Sequence, residues 1–258
     1  MTRSFAAIAV LIGSTAASAG AVAATGGGGG TEAAATAATP QGAAAAVSRP
    51  LRFDEHDLFI ETNATDRDAG LQMQLDAEDW RWLRLRDPKG RLILNLQTRG
   101  RLRRYGLTEL FFEAAEPSFD EVPFRVFKKR FPSGRYSFRG RTVEGRGLAS
   151  SDRLSHRVPA GPTITFPTKD AQVDPNGLTV TWEPVTSPAG IRIVRYIVVV
   201  TRGERDLSMD LPSSARSASI PAEFLTPDVK PGDESKVEVL ARESSGNQTI
   251  TEVSFRTR

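Results

Sequence analysis

Cysteine is absent from all 258 residues of the chain. Its absence excludes disulfide bonds, thiolate nucleophiles and zinc sites built on sulfur. It also argues against a lipid anchor on a cysteine that follows a secretion signal. If the protein is exported, its hydrophobic cores alone must stabilise it.

Histidine is scarce, and His56 and His156 are the two in the chain. The sequence has no Gly-x-Ser-x-Gly, no His-Glu-x-x-His and no glycine-rich phosphate loop, so the common catalytic motifs are missing. Glu109, Glu113 and Glu116 are carboxylates that could pair for sugar hydrolysis, but nothing in the sequence fixes their separation. We therefore expect no enzymatic activity and no cofactor.

Apolar runs long enough to span a bilayer are also missing. The run at Phe5–Gly13 has nine residues, follows Arg3 and precedes Ala17–Ala19. This order of charge, apolar run and small-residue cleavage site is typical of a secretory signal. We predict a signal peptide at 1–24 and a disordered Ala/Gly-rich tether at 25–50, which places the mature protein in the periplasm or outside the cell.

The most regular pattern lies between Gly177 and Thr201. Its first part alternates apolar and polar residues with a period of two, as a half-buried strand does. After a Pro/Gly break, a second run places four residues on one inward face: Val194, Tyr196, Val198 and Val200. We expect Trp182 from the first strand and Tyr196 from the second to fill one core.

The region from about 160 to 258 resembles a fibronectin type III domain. The resemblance is carried by Trp182, Tyr196 and the segments Val229–Gly232 and Val237–Ala241. The resemblance implies a seven-stranded β-sandwich over 159–258 that serves as a spacer or binding module and carries no catalytic residues. The sequence departs from the family at Ser235, where a tyrosine usually stands.

Residues 51–158 show shorter strand patterns. The turn-forming sequence Asp87–Gly90 indicates a β-hairpin over 80–98. Phe124, Phe127 and Phe131 recur on one helical face, and this spacing predicts a short helix at about 121–131.

We expect Asp120 to cap that helix. Pro132–Tyr136 has the spacing of a tyrosine corner, in which a phenol bonds back to the backbone. The fold class we predict is all-β, with an immunoglobulin-like β-sandwich at 51–158 followed by the fibronectin type III sandwich.

The first half also resembles a module of secreted bacterial proteins that has no assigned function. The segments that carry the resemblance are Asn63–Asp66, Asp68–Gly70, Gly106–Leu110 and Phe131–Tyr136. It implies no chemistry.

Acidic residues near the start of the first half suggest a Ca²⁺ site. Asp66, Asp68 and Asp76 could offer the oxygen ligands that calcium prefers. The spacing of an EF-hand is absent, and short Asp side chains are common in turns, where they bond nearby backbone. The alternative is therefore that these residues stabilise turns.

Basic residues suggest a surface for an anionic polymer. Residues 51–158 hold 21 Lys and Arg against 17 Asp and Glu. Trp82 shares the outward strand phase of Arg84 and Arg86, so an indole flanked by guanidinium groups could stack a sugar ring. Arg139 and Arg141 also lie on an outward strand face, and further arginines crowd a nearby loop: Arg101, Arg103 and Arg104. The alternative is an ordinary solvated face, because this net charge is modest and nucleic acid is not the expected partner.

An apolar strip is expected on the outside of the second half. If Tyr196 points inward, then Ile197 and Val199 point outward, as does Leu240 on the neighbouring strand. Exposed apolar strips mark interfaces. Either the first domain covers this strip or a partner protein does.

These patterns predict a non-catalytic, exported binding or scaffold protein that interacts with other proteins through sandwich surfaces. The alternative is binding of an envelope or extracellular polysaccharide by the basic face, and a carbohydrate-active hydrolase or accessory module comes third. Asn63 and Asn247 lie in glycosylation signals, which matter only in a host that modifies them.

Overall fold

The computed structural model describes residues 49–226 and 233–258, and β-strands dominate them. The predicted signal peptide, all but the end of the predicted tether and the segment 229–232 of the fibronectin resemblance lie outside the described residues. Within the described part, neither helix has the length and apolarity needed to cross a bilayer.

The first half contains six strands and one α-helix, which confirms the predicted helix insertion. The strands are β1 Glu55–Asn63, β2 Asp68–Arg86, β3 Leu92–Gln97, β4 Leu107–Glu113, β5 Gly134–Thr142 and β6 Gly147–Leu154, and the helix is α1 Phe124–Arg130. A 3₁₀ helix covers Gly100–Arg104.

The described residues of the second half, 159–226 and 233–258, form eight strands and a single helical turn. The strands are β7 Ile164–Phe166, β8 Ala171–Val173, β9 Leu178–Trp182, β10 Ile193–Arg202, β11 Arg205–Pro212, β12 Ser217–Ile220, β13 Glu234–Glu243 and β14 Gln248–Thr257, and the turn is α2 Ala222–Leu225.

Two sheets contain these strands, and one of them runs through both halves. Its order is β11-β10-β13-β14-β1-β2-β5-β6, with β3 and β4 also paired to β2 and β8 paired to β14. The second sheet has the order β12-β9-β7. The sequence predicts the all-β class correctly, but it gives no sign that the two halves share a sheet.

The core of the second half forms where the two sheets face each other. Trp182 on β9 and Tyr196 on β10 are both buried, and their ring centroids lie 5.4 Å apart at a tilt of 53°. The Tyr196 hydroxyl accepts a hydrogen bond from the Val185 amide (2.9 Å). The predicted Trp–Tyr core is therefore confirmed, and the two rings pack in the tilted geometry that aromatic pairs prefer.

Strand β2 organises the first half. It is 19 residues long, and its first part pairs with β1 and β4 while its last part pairs with β3 and β5. The pairing register shifts between Asp76 and Trp80 and again between Trp80 and Trp82. Such irregularities bend a strand, so one strand can serve two groups of partners around a separate core that contains Trp80 and Phe138.

The end of the first half is sealed by phenylalanine rings and a tyrosine corner. The Tyr136 hydroxyl donates a hydrogen bond to the carbonyl oxygen of Pro132 (3.0 Å), as the Pro-x-Gly-x-Tyr spacing predicts. The rings of Phe124, Phe127 and Phe131 contact one another in succession. The predicted cap at Asp120 is wrong, because Pro123 is the N-cap residue and Asp120 instead pairs with Arg67 (3.6 Å).

The two halves meet at a parallel pairing of β1 with β14, which we call the seam. Asn247 lies beside it and is fully buried. Its Oδ1 accepts from the Ile60 amide, and its Nδ2 donates to the carbonyl oxygens of Ser155 and Arg157. This side chain is unavailable to a glycosyl transferase, so the glycosylation signal at Asn247 has no accessible acceptor.

The expected apolar strip is not exposed. The exposed fractions of Ile197, Val199 and Leu240 are 1%, 0% and 2%. They do point away from the second core, but long ion-paired side chains flank them on the same face, including Arg195 and Lys236. The aliphatic stems of such residues cover apolar surface.

The start of β10 also differs from expectation. A register shift between Ile193 and Arg195 inverts the strand phase there. Ile193 therefore packs against the core, whereas Val194, which the alternation places inward, is 41% exposed.

Candidate functional site

The outer surfaces of β2, β5 and β6 form a basic face. We use this name for six arginines together with Trp82: Arg84, Arg86, Arg135, Arg139, Arg141 and Arg153. Outward positions alternate with core positions along these strands, because Tyr136 and Phe138 fill the inward phase of β5. The alternation that builds the first core thus also projects the guanidinium groups into solvent.

Cross-strand register places like charges opposite each other. Arg84 lies directly opposite Arg139, and Arg135 lies directly opposite Arg153. Opposed like charges in a sheet are destabilising. Among the ion pairs of the described residues, none includes an arginine of the basic face.

Neutral groups orient several of these arginines. The guanidinium of Arg84 lies 5.1 Å from the centroid of the Trp82 ring, and its Nε donates to Asn95 Oδ1 (3.0 Å). Arg135 donates to the Ser151 hydroxyl (3.0 Å). These contacts leave the positive charges without a counter-charge, which suits them to an anionic ligand.

A cavity of about 250 Å³ opens at one end of the basic face. Its lining residues are Arg81, Trp82, Gln97, Thr98 and Arg103. It combines an indole, two guanidinium groups, a carboxamide and a hydroxyl. Carboxylate and sulfate groups are natural partners of guanidinium, and an indole face can stack on a sugar ring.

Backbone irregularity brings Arg81 to this cavity. The register shift between Trp80 and Trp82 inserts one extra residue in β2. Arg81 and Trp82 therefore both line the cavity, although a regular strand would point successive side chains to opposite faces. The Thr98 amide and hydroxyl both donate to the Arg81 carbonyl oxygen (2.8 and 3.2 Å), which fixes this backbone.

The predicted ligand residues therefore divide into two groups. Trp82, Arg84 and Arg86 lie on the basic face, and Arg103 reaches the cavity from the 3₁₀ helix. Arg101 and Arg104 are exposed on the same helix but do not line the cavity.

Sequence analysis missed three basic residues of this region: Arg81, Arg135 and Arg153. Arg135 shares the strand phase of Arg139 and Arg141, so the alternation could have identified it. Arg81 could not be found in this way, because its position depends on the bulge.

The aspartates predicted to bind Ca²⁺ do not converge. Asp68 and Asp76 lie eight residues apart on one strand, roughly 26 Å. Asp66 belongs to a turn in which Asn63 Oδ1 accepts from the amides of Thr65 and Asp66 (2.8 and 3.2 Å). The alternative of a turn residue therefore fits Asp66, whereas Asp68 and Asp76 lie within β2.

Carboxylates do converge elsewhere. Carboxylate oxygens of Glu61, Glu113 and Glu116 lie within 4.8 Å of one another. This spacing is shorter than the roughly 5–5.5 Å that separates the carboxyl groups of a retaining glycosidase. Glu109 lies on β4 four residues from Glu113 and takes no part.

Both histidines have structural contacts. His56 packs edge-on against the Phe138 ring, with centroids 6.1 Å apart. A ring nitrogen of His156 lies 2.8 Å from the Phe131 carbonyl oxygen. Neither histidine lines the cavity.

Comparison with known proteins finds distant structural similarity. No protein-family model matches the chain, and no curated protein matches it. The spore cortex lytic enzyme SleM of Clostridium perfringens is similar over 38% of this chain and 28% of its own, with 19% identity and a TM-score of 0.29.

Two chicken proteins with fibronectin domains are also similar at 10% identity. The CNTN1 FN1–FN3 structure matches 81% of this chain and 65% of its own with a TM-score of 0.32. The segment of two fibronectin type III domains from tenascin matches 79% of this chain and 98% of its own with a TM-score of 0.29. The chain thus spans less than a third of SleM and about two thirds of the CNTN1 structure.

Proposed function

We propose that this chain is a non-catalytic, exported binding protein whose basic face holds an anionic polysaccharide. The observation that carries the proposal is that two pairs of arginines lie directly opposite each other, Arg84–Arg139 and Arg135–Arg153, with no ion-pair partner among the described residues. An arrangement that costs stability in the free protein is consistent with a ligand that supplies the missing negative charge.

The cavity supports a sugar polymer as the ligand. The Trp82 indole offers a stacking surface, and Arg81 and Arg103 flank it. The cavity has room for one sugar ring, while the arginines of β5 and β6 continue along the sheet. A polymer of charged sugars fits this combination of one anchoring pocket and an extended charged surface.

Protein interaction through the apolar strip has less support. That hypothesis depends on an exposed strip, and Ile197, Val199 and Leu240 are buried. An exported location is consistent with the signal-like order of residues 1–24.

Binding should be measured by calorimetry with the full chain against polygalacturonate, dextran sulfate, neutral dextran and a single-stranded DNA. We expect saturable binding of an acidic glycan that weakens by about tenfold or more between 50 and 200 mM salt. Neutral dextran should not bind. Binding of DNA but of neither acidic glycan would contradict the proposal.

A variant pair locates the site. Arg84→Ser with Arg139→Ser should weaken glycan binding at least tenfold. The control Arg125→Ser with Lys129→Ser removes the same charge from the exposed surface of α1 and should change binding less than twofold. Equal losses in the two double variants would indicate a non-specific charge effect and would overturn the assignment.

A further inference from the structure

Four neighbouring strands bring acidic and amide side chains together at the seam. Glu61 on β1 lies opposite Gly70 on β2 and opposite Gln248 on β14. Glu113, at the end of β4, lies opposite Gln72. Register therefore fixes these positions on one sheet face, away from both hydrophobic cores.

Glycine at position 70 makes room for the third carboxylate. Glu116 follows β4, and its Oε1 would lie only 2.4 Å from a Cβ built on Gly70. Any side chain at position 70 would therefore displace this carboxylate. The sheet has a notch where Glu116 reaches Glu61 and Glu113, and we call the three residues the carboxylate cluster.

Amide groups bridge the cluster. Gln72 Nε2 donates to Glu61 Oε1 (2.5 Å) and to Glu113 Oε1 (3.5 Å). Gln248 Nε2 donates to Glu61 Oε2. Glu61 is buried, whereas Glu113 reaches solvent, so an ion could enter from that side.

The negative charge of the cluster is not compensated. Burial, reinforced by neighbouring carboxylates, raises the pKa of Glu61 to about 7 and that of Glu116 to about 8. Among the ion pairs of the described residues, none includes Glu61, Glu113 or Glu116. Buried carboxylates in this situation need protons or a metal ion.

A second, independent feature points to a ligand. Gln248 is only 5% exposed, and its Oε1 is buried with no hydrogen-bond partner among the described residues. Because Nε2 of the same carboxamide contacts Glu61, the group is aimed at the cluster. Rotation of the amide by half a turn would place its oxygen beside the carboxylates.

We propose that Glu61, Glu113, Glu116 and Gln248 form a site for one Ca²⁺ ion at the seam. The donors are all oxygens, as calcium prefers, and nitrogen and sulfur ligands typical of zinc are absent from the set. Two oxygens bound to one Ca²⁺ at about 2.3–2.6 Å can lie up to about 5 Å apart, so the carboxylate oxygens are already close enough. Water would complete the six to eight ligands.

The site would connect the two halves. Glu61 and Glu113 belong to the first half and Gln248 to the second. An ion held by all of them would tie β4, β1 and β14 together. Its presence would therefore affect the stability of the whole sheet.

Calorimetric titration of the full, chelator-treated chain with CaCl₂ at pH 8 tests the proposal. We expect one ion per chain, with a dissociation constant of roughly 10⁻⁵–10⁻³ M, and a melting temperature at least about 3 °C higher in saturating Ca²⁺. MgCl₂ should bind at least tenfold more weakly, since Mg²⁺ demands a stricter geometry.

Three variants locate the ion. Glu61→Gln and Glu116→Gln should each weaken Ca²⁺ binding at least tenfold. Glu109→Gln changes an exposed glutamate on the same strand as Glu113 and should leave binding unchanged. Glu61→Gln also removes a buried charge, so it should raise the melting temperature of the metal-free protein, which separates loss of binding from loss of folding.

Two results would overturn the proposal. One is the absence of saturable Ca²⁺ binding by the wild-type chain up to about 10 mM, roughly tenfold above the weakest dissociation constants of extracellular sites. The other is unchanged binding in both cluster variants together with loss of binding in Asp66→Asn, which would place the ion at the turn before β2.

Discussion

The two halves of the large sheet carry charge on their outer surfaces in opposite ways. In the second half, charged side chains form ion pairs: Arg195 pairs with Asp210 on the neighbouring strand (2.7 Å), and Lys236 contacts Glu238 on its own strand (2.5 Å) and Glu252 on the next strand (3.1 Å). In the first half, Arg84 faces Arg139 without such a partner. The second half neutralises its own surface, while the first leaves a surface for another molecule to neutralise.

The cores differ as well. The second half packs two facing sheets around Trp182 and Tyr196, whereas the first depends on one bent strand, a phenylalanine-rich helix and the corner at Tyr136. Ser235 stands where the second half would have a corner tyrosine, and its buried hydroxyl has no partner among the described residues.

The largest expected effect comes from Trp182→Ala. Loss of this buried indole should destabilise the protein by about 3–5 kcal/mol. The two remaining tryptophans, Trp80 and Trp82, then report on the first half alone. Because the halves share a sheet, their fluorescence and the far-UV circular dichroism should follow one coincident thermal transition.

Two separate transitions in that variant would show that the halves unfold independently and that the seam is weak. Trp182→Phe serves as the control, since it retains an aromatic ring and should cost less.

The second largest effect should be a dependence of stability on pH that arises from Glu61 at the seam. Burial is the largest cause that raises the pKa of Glu61 to about 7, Glu113 and Glu238 add to it, and hydrogen bonds from Gln248 and Gln72 oppose it. Between pH 4.5 and 7 the folded protein keeps a proton that the unfolded chain releases. Stability in metal-free buffer should therefore be highest at low pH and fall as pH rises through 7.

The loss attributable to Glu61 should be on the order of 3 kcal/mol between pH 4.5 and pH 8. Thermal unfolding across this range should show a shallower decline for Glu61→Gln than for the wild-type chain. Glu109→Gln should behave as the wild type does. Parallel declines in all three proteins would contradict the assignment of the effect to Glu61.

Asn247→Ala should weaken the hydrogen bonds beside the seam, a more local change than the loss of a core side chain. It removes the acceptor of the buried Ile60 amide and the donor to the Ser155 and Arg157 carbonyls, at a cost of about 2–3 kcal/mol. Hydrogen exchange should increase at the Ile60 amide before it increases in either core. Asn176→Ala, in an exposed turn, should cost much less.

The smallest effect on stability should come from Arg84→Glu. This change gives Arg139 an opposite charge across the strands and should stabilise the protein by about 0.2–1 kcal/mol. The same variant should lose binding of acidic glycans at least tenfold. Adding Arg139→Glu restores like charges and should remove the gain in stability while binding stays lost.

Sequence reasoning succeeded where a regular period controls the structure. Alternation predicted the inward Trp182 and Tyr196, the helical phenylalanines predicted α1, and the Pro-x-Gly-x-Tyr spacing predicted the corner at Tyr136. The same alternation predicted the outward Arg84 and Arg86 of β2 and the outward Arg139 and Arg141 of β5.

Sequence reasoning failed where the backbone departs from a period or where distant segments meet. One bulge turns the Val194 side chain outward, and another brings Arg81 to the cavity. Neither bulge has a reliable signal in the local sequence. The carboxylate cluster and Gln248 join residues from β1, the end of β4 and β14, so their spacing along the chain carries no pattern. Asn247 matches a glycosylation signal in sequence and is a buried hydrogen-bonding residue in the fold.

By itself the sequence determined the all-β class, the two aromatic-rich cores and the outward phase of most of the arginines, because strand periodicity and aromatic burial are local and depend on neighbouring residues. Tertiary structure alone decided that the two halves share one sheet, that four carboxylate and amide side chains meet at the seam, and that the basic charges lie opposite one another. Strand register sets those three features, and register depends on pairing between segments up to 187 residues apart.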